Sequence, residues 1–147
     1  MGFKIQRVNY KSAGTNFDFG DAFKMQKYLT NKTNDEVTIF DVGAFDGGTA
    51  LRYKTLFPSS KIYSFEPFPE SFSKLLKNTS SYNDIISINK GVGEQEGLAT
   101  FNSNSFAATN SLLNTHQSGD KVWGSGFLDT LKTIEVELTS IDRFVES

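Results

Sequence analysis

The sequence has no cysteine, which excludes disulfide bonds, thiol nucleophiles and cysteine-based metal sites. It also lacks an apolar run of membrane-spanning length and an apolar signal core in its first residues. Histidine occurs once, so the chain offers a single imidazole as a general base. These absences favour a cytoplasmic protein, and we expect no bound metal ion and no membrane partner.

A strong charge of one sign is also missing, because 15 basic and 17 acidic residues leave a net charge of −2. We therefore expect no nucleic-acid partner. The fourteen phenylalanines supply apolar surface for a core, and 147 residues suit one domain. We predict a single domain over residues 1–147, in which 1–20 form an irregular leader.

Strand and helix patterns alternate over residues 37–93, the order of a βαβαβ unit. Such a unit is half of a doubly wound parallel sheet, and it predicts an α/β fold. The predicted elements are a helix over 21–29, strand 37–42, a helix that ends at Phe57 before Pro58, strand 61–66, helix 69–78 and strand 84–89.

The pattern changes after residue 97, where 97–101 and 133–138 alternate as half-exposed strands. We expect them to add a β-segment to the parallel sheet. About thirty polar residues separate the two strands, a length that favours a functional loop. A last helix over 140–146 follows, capped by Thr139 or Ser140. This helix is predicted to bury Ile141, Phe144 and Val145.

A glycine turn connects the first strand of this unit to its helix, with the spacing Asp41-x-Gly43-x-x-x-Gly47. Glycine has no Cβ to keep a ligand from the backbone, and a helix N-terminus offers free N–H groups. The turn therefore predicts a cofactor site, although an ordinary connection has a similar pattern. It differs from the dinucleotide fingerprint Gly-x-Gly-x-x-Gly, whose second glycine is replaced here by Phe45.

Glu66 ends the neighbouring strand, at the edge where open α/β sheets bind ligands. A carboxylate there can accept both hydroxyls of a ribose, although it could also be a solvated strand end or a helix cap. S-adenosylmethionine fits such a site without a phosphate group, its amine near Asp41 and Gly43. A nicotinamide cofactor would also use Glu66, but its pyrophosphate needs the glycine that Phe45 replaces.

The predicted cofactor-binding residues are Asp41, Gly43, Ala44, Phe45, Asp46, Gly47, Glu66, Pro67, Asn89, Gly91 and Val92. Some have structural alternatives. Asp46 is equally suited to cap the following helix, and Asn89 to turn the chain. Phe45 and Phe68 are typical packing residues, although either ring could flank an adenosine.

Several motifs together resemble the FkbM-type methyltransferases, in matching order over residues 37–145. They are Phe40-Asp41-Val42-Gly43-Ala44-Phe45-Asp46-Gly47, Tyr63-Ser64-Phe65-Glu66-Pro67-Phe68-Pro69, Gly91-Val92-Gly93, Asn110-Ser111-Leu112 and Val136-Glu137-Leu138-Thr139-Ser140-Ile141-Asp142. The resemblance implies a three-layer, Rossmann-like class I fold that binds S-adenosylmethionine. It also implies O-methylation, with saccharide or macrolide hydroxyls as usual acceptors.

The chain departs from that family after the segment 133–142, where family members continue with further strands. We therefore expect a truncated enzyme with an incomplete sheet. Strand 37–42 would then be an exposed edge, and its unpaired backbone groups predict a homo-oligomer through that side.

The acceptor side is less determined by sequence. The only histidine, His116, is the candidate general base, with Asp46 and Asp120 as rivals. By resemblance, Asn110 and Ser111 line the substrate site, and Trp123 either stacks on a sugar or anchors its loop. With the resemblance, the sequence thus predicts a methyltransferase that uses S-adenosylmethionine to O-methylate a saccharide or a similar hydroxyl acceptor. The alternatives are a cofactor-binding module without turnover and a dinucleotide-dependent oxidoreductase half.

Overall fold

A computed structural model of the chain describes residues 21–30, 37–105, 110–112 and 129–146. The chain divides into two units between Asn34 and Asp35. In the first unit, helix α1 spans Ala22–Thr30, and the Phe23 N–H donates to Asp21 Oδ1 at its start (3.1 Å). None of the described helices is both long and apolar enough to cross a membrane. The predicted leader lies outside the described residues.

The second unit carries two three-stranded sheets and three helices among its described residues. The predicted βαβαβ order over its first five elements is confirmed. In chain order, the elements are β1 (Thr38–Val42), α2 (Gly48–Leu56), β2 (Lys61–Phe65), α3 (Pro69–Thr79), β3 (Ile85–Ile88), β4 (Gly91–Val92), β5 (Gly97–Asn104), β6 (Thr130–Thr139) and α4 (Ile141–Glu146).

The parallel sheet has the order β1-β2-β3. Its register places Ile39, Ile62 and Ile85 in one row across the strands. Ile62 and Ile85 form a buried cluster with Ala50 of α2. On the same face, Thr79 of α3 makes a hydroxyl–hydroxyl hydrogen bond to Ser87 (3.3 Å). Helices α2 and α3 therefore cover one face of this sheet. Among the described residues, β1 pairs only with β2 and forms its edge.

An aromatic cluster covers the other face of the parallel sheet. The Phe144 ring of α4 lies edge-on to the rings of Tyr63 and Phe65, with centroid distances of 5.0 and 5.1 Å. The Arg143 N–H donates to Ser140 Oγ (3.2 Å), which confirms the predicted Ser140 cap. The predicted burial is wrong for Val145, which is 63% exposed, and Ile141 and Phe144 are only partly buried. Successive helix residues point about 100° apart, so Phe144 and Val145 cannot both face the sheet.

The second sheet, called the mixed sheet here, has the order β4-β6-β5. Strand β6 is antiparallel to β5 and parallel to β4. The expected addition of these strands to the parallel sheet is therefore not observed. Both long strands extend beyond the predicted ranges, and they pair with each other from Gly97↔Leu138 to Asn104↔Thr130. Their inner face buries Phe101 and Val136 against Phe68, the residue that precedes α3.

Candidate functional site

A cavity of about 570 Å³ opens at the carboxyl ends of β1 and β2, where the parallel sheet meets the mixed sheet. This volume lies within the range of small-molecule and cofactor sites. The parallel sheet contributes Gly43 and Glu66 to the wall, and the mixed sheet contributes Val92 and Phe101. The location agrees with the general rule that open α/β sheets bind ligands beyond the carboxyl ends of their strands.

Glu66 is the central polar group of this cavity. It follows β2 directly and is only 6% exposed. Its Oε2 accepts a hydrogen bond from the Phe45 N–H (2.8 Å), and its Oε1 accepts one from the Phe68 N–H (2.9 Å). A carboxylate oxygen has two acceptor positions, so each retains one for a ligand. The two backbone donors fix the orientation of the carboxylate within the wall.

Burial raises the pKa of Glu66, and the hydrogen bonds from the Phe68 and Phe45 amides oppose that rise. The carboxyl group therefore takes up a proton more readily than an exposed glutamate. Its protonation would remove acceptor capacity on the protonated oxygen. We conclude that both carboxylate oxygens of Glu66 can accept hydrogen bonds from a ligand only when Glu66 is ionised.

The loop after β1 is tied to the end of β2 through its backbone. The N–H groups of Gly43 and Ala44 both donate to the Phe65 carbonyl, each at 2.9 Å. Gly43 has a φ of 77°, and a Cβ built there would meet no atom within 4 Å. The glycine therefore leaves open space beside the cavity, as expected for a position that a ligand approaches.

Phe45 is held in an unusual conformation in the same loop. Its φ of 51° lies in the left-handed region, which costs a non-glycine residue on the order of 1–3 kcal/mol. Its amide donates to Glu66, and the residue lines the cavity. The Lys74 ammonium lies 5.8 Å from the ring centroid, within cation–π distance. Such strain, held by surrounding contacts, is a feature of functional sites.

Two predicted cofactor residues of this loop have structural roles. Gly47 has a φ of 87°, and a Cβ there would lie 2.9 Å from Leu75 Cδ1 and 3.0 Å from Thr79 Cγ2. Its missing side chain therefore permits contact with α3, and the residue is outside the cavity wall. Asp46 Oδ1 accepts a hydrogen bond from the N–H of Gly48 (3.1 Å), the first residue of α2. The N-cap position itself is occupied by Gly47, so the alternative of Asp46 as the N-cap is wrong.

Asp41 lies on the helix-covered face of the parallel sheet, in register with Ser64. It is only 8% exposed, and its Oδ2 has no hydrogen-bond partner among the described residues. The Ser64 hydroxyl is likewise buried without a partner in this part of the chain. Burial, followed by repulsion from Glu66, raises the pKa of Asp41. The residue is outside the wall.

The turn after β3 uses Asn89 to hold the chain beyond Glu66. Its Nδ2 donates to the carbonyls of Glu66 (2.8 Å) and Pro67 (3.2 Å). This geometry supports the alternative that Asn89 turns the chain. The following Gly91 lies in the wall, and a Cβ there would be 2.7 Å from Leu138 Cδ2. The absence of a side chain at Gly91 therefore lets β4 approach β6 closely.

The segment 110–112 closes the cavity from the side of the mixed sheet. Asn102 and Ser111 exchange two backbone hydrogen bonds of 2.8 and 3.1 Å. The Asn104 N–H donates to Asn110 Oδ1 (2.8 Å). Leu112 packs against the buried cluster of this sheet. These contacts place residues 110–112 in the cavity wall.

The structure thus brings most of the predicted residues to one cavity and adds others. The predicted residues in the wall are Gly43, Phe45, Glu66, Pro67, Gly91, Val92, Asn110 and Ser111. Those outside it are Asp41, Ala44, Asp46, Gly47 and Asn89. The wall residues that the sequence analysis missed are Val42, Phe65, Ser71, Phe101 and Leu112. His116, Asp120 and Trp123 lie outside the described residues.

The missed residues differ in how they could have been found. Val42 and Phe65 end their strands beside predicted site residues, so their positions at the sheet edge were a usable signal. Ser71 lies in the first turn of α3, close in sequence to Pro67. Phe101 reaches the cavity only through the pairing of β5 with β6, for which the local sequence contains no signal.

Comparison with known proteins identifies the family. Residues 41–147 match the model of the methyltransferase FkbM domain. No curated protein matches the chain significantly. Among solved structures, the chain is similar to precorrin-6y C5,15-methyltransferase from Geobacter metallireducens GS-15, with 16% identity and a TM-score of 0.35. The match covers 44% of this chain and 37% of that one. Since the family model spans the glycine turn, Glu66 and both sheets, the chain belongs to the FkbM methyltransferase domain family.

Proposed function

We propose that the cavity binds S-adenosylmethionine and that the protein transfers its methyl group to a hydroxyl of a saccharide or related acceptor. The observation that carries this proposal is the position of Glu66. Its carboxylate is oriented by two backbone amides and retains acceptor positions toward the cavity. The family match supports the reaction class. We also propose that the parallel βαβαβ unit belongs to a three-layer, Rossmann-like methyltransferase fold.

The residues of the wall fit this cofactor. Ionised Glu66 can accept hydrogen bonds from ribose hydroxyls, and apolar side chains such as Pro67, Val92 and Phe101 suit an adenine ring. Among the described wall residues, Glu66 is the only charged one. The described wall residues include neither lysine nor arginine to neutralise a phosphate. The wall therefore favours an adenosine derivative without phosphate groups.

Methyl transfer asks mainly for positioning. The sulfonium of S-adenosylmethionine supplies an activated methyl group, and good orientation alone lowers barriers by about 7–11 kcal/mol in model reactions. In this chain the loop after β1, Glu66 and segment 110–112 would hold cofactor and acceptor in one cavity. A base for the acceptor hydroxyl stays a prediction, with His116, Asp46 and Asp120 as candidates; Asp46 is already bonded to the Gly48 amide.

A saccharide acceptor is consistent with the polar part of the wall. Asn110 keeps the two N–H donors of its amide after its oxygen is bonded to Asn104. Ser111 adds a hydroxyl beside it. Donors and acceptors of this kind suit sugar hydroxyls. The cytoplasmic location, the association of two copies through β1 and the role of Trp123 stay predictions.

The first test is calorimetric titration of the purified chain with S-adenosylhomocysteine. We expect micromolar binding by the wild type and a loss of about 10- to 150-fold in Glu66→Ala, since one charge-assisted hydrogen bond contributes about 1.5–3 kcal/mol. The matched control is Glu70→Ala. Glu70 is exposed and pairs with Lys132 outside the wall, so its removal should change affinity less than about 2-fold.

Two results would contradict the proposal. One is the absence of binding by well-folded wild type, and the other is undiminished binding by Glu66→Ala. Turnover is tested separately, with methyl-labelled S-adenosylmethionine and a panel of saccharides. Transfer of label to any sugar hydroxyl supports the enzyme. Tight binding without transfer to any acceptor would favour the alternative of a cofactor-binding module.

A further inference from the structure

Phe45 occupies a position where the backbone favours glycine. Among the described residues, it is the only non-glycine residue with a positive φ. The Gly47 N–H donates to the Ala44 carbonyl (2.8 Å), which makes Phe45 the first central residue of a four-residue turn. A positive φ at that position is characteristic of turns in which glycine is preferred. The chain therefore retains a large aromatic side chain at a site where the backbone disfavours it.

The contacts of Phe45 show what this side chain does. Phe45 is one of the residues of the cavity wall, and its ring centroid lies 5.8 Å from the Lys74 ammonium. Its amide, which a bare turn would offer to a ligand, donates instead to Glu66 Oε2 at 2.8 Å. At Phe45, the loop thus carries a bulky side chain, and its backbone N–H is already hydrogen-bonded to the Glu66 carboxylate. Both effects act at the same point of the cavity.

The dinucleotide fingerprint provides the relevant comparison. In Gly-x-Gly-x-x-Gly, the second glycine lets the backbone approach a pyrophosphate. This chain has Gly43 and Gly48 at the first and third positions, and it departs at the second, which is Phe45. The third glycine serves helix packing in the fingerprint, so its presence here carries no phosphate contact. The departure falls at the one position where a diphosphate needs open backbone.

We infer that Phe45 is a specificity-determining residue that excludes diphosphate-bearing nucleotides from the proposed cofactor site. Its ring blocks the approach to the loop backbone, while an adenosine derivative without phosphates is accommodated beside Glu66. This inference rests on the proposed function, since it concerns discrimination within the same cavity.

The experiment compares two probes on the full chain. S-adenosylhomocysteine represents the phosphate-free ligand, and ADP-ribose carries the same adenosine on a diphosphate. Calorimetric titrations are made for wild type, Phe45→Gly and Phe45→Ala. We expect the wild type to prefer S-adenosylhomocysteine by at least about 100-fold, and Phe45→Gly to reduce that ratio at least about 10-fold. Phe45→Ala, which lacks the ring but keeps a Cβ, should reduce it less.

Lys74→Met serves as the matched control, because it removes the cation near the ring and leaves the ring in place. Its preference ratio should stay within about 3-fold of the wild-type value. A larger change in Lys74→Met than in Phe45→Gly would overturn the inference, since charge rather than the ring would then set the preference. Circular dichroism verifies that each variant is folded. We expect Phe45→Gly to fold, because glycine readily adopts the positive φ of this position. If it does not fold, the comparison of the wild type with Phe45→Ala decides the question.

The outcomes separate the two proposals. If the wild type binds S-adenosylhomocysteine and both Phe45 variants keep the full preference over ADP-ribose, the inference fails and the cofactor proposal stands. If the folded wild type does not bind S-adenosylhomocysteine, the cofactor proposal fails and the inference fails with it. A reduced ratio in the Phe45 variants supports both.

Discussion

The two sheets of the second unit contribute to the same cavity in different ways. The parallel sheet supplies the glycine loop and Glu66, which follow their strands directly and come from short strand–helix connections. The mixed sheet supplies Phe101, which reaches the cavity because β5 pairs with a strand about thirty residues further along the chain. It also supplies segment 110–112, which is bonded to Asn102 of β5. Local sequence therefore defines the polar centre of the site, and long-range pairing closes its walls.

The two sheets are also joined by aromatic residues that follow a strand of one sheet in the chain but pack against the other sheet. Phe68 follows the parallel strand β2, yet its ring stacks with Phe101 of the mixed sheet at a centroid distance of 6.1 Å. In the opposite direction, α4 follows β6 but packs Phe144 on the parallel sheet. We conclude that the cavity depends on both sheets being in place.

The largest effect is expected from the glycine loop of the parallel sheet. Gly47→Ala combines a positive φ with a Cβ only 2.9 Å from Leu75, and we expect a loss of about 3 kcal/mol in unfolding free energy. Gly43→Ala is the matched control. It has a similar φ and open space around the Cβ, so it should lose about 1 kcal/mol. Urea unfolding measures both, and equal losses would show that steric contact with α3 does not matter.

A smaller loss is expected at the junction of the sheets. Phe144→Ala removes the ring that packs on Tyr63 and Phe65, and we expect it to lower the unfolding free energy by about 2 kcal/mol. Val145→Ala, in the same helix but 63% exposed, should change it by less than about 0.5 kcal/mol. Thermal unfolding with matched urea curves gives both values. Similar effects of the two variants would mean that α4 does not pack as described.

The smallest effect concerns pH and the buried Asp41. Burial raises its folded-state pKa above the ordinary value of 3.8. Its contribution to stability is therefore fully present below the unfolded-state pKa and is lost as pH rises through the folded-state pKa. Asp41→Asn cannot ionise, so it should lose less stability than the wild type between pH 4 and pH 7.

The measurement is a series of urea unfolding curves at increasing pH, with Asp142→Asn of α4 as an exposed control. The control should follow the wild-type curve, because its carboxylate is in solvent in both states. A stability difference between wild type and Asp41→Asn that does not change with pH would contradict the assigned pKa direction. The assigned direction would also be contradicted if the wild type became more stable relative to Asp41→Asn as the pH rises.

The parts of the fold that sequence predicted correctly have local causes. Pro58 ends α2 and Pro69 opens α3, because proline restricts the backbone of these residues. Glu66 follows a short apolar strand and therefore falls at the ligand edge of the sheet. The strand β4 has only two residues and no detectable period, so it was missed. The separation into two sheets depends on long-range pairing, which periodicity does not report.

In the site, too, the sequence predicts local features but not contacts between distant parts of the chain, as two glycines of the loop after β1 show. Gly43 and Gly47 have similar positive φ values, and both fit the motif for cofactor approach. The sequence cannot distinguish them, because a missing Cβ permits either a ligand or a neighbouring helix to come close. In the structure, Gly43 borders the cavity and Gly47 contacts α3. The role of each glycine therefore depends on what lies next to it in the fold, and that neighbour is distant in sequence.

The most direct test of the central claim is amide NMR of the ¹⁵N-labelled chain during addition of S-adenosylhomocysteine. If both sheets form one cofactor cavity, the amide signals of Gly43 and Phe45 on one side and of Gly91 and Ser111 on the other will shift together. Amides at the opposite end of the parallel sheet, such as Lys61, should keep their positions. Shifts confined to one sheet, or centred near Lys61, would contradict this account of the site.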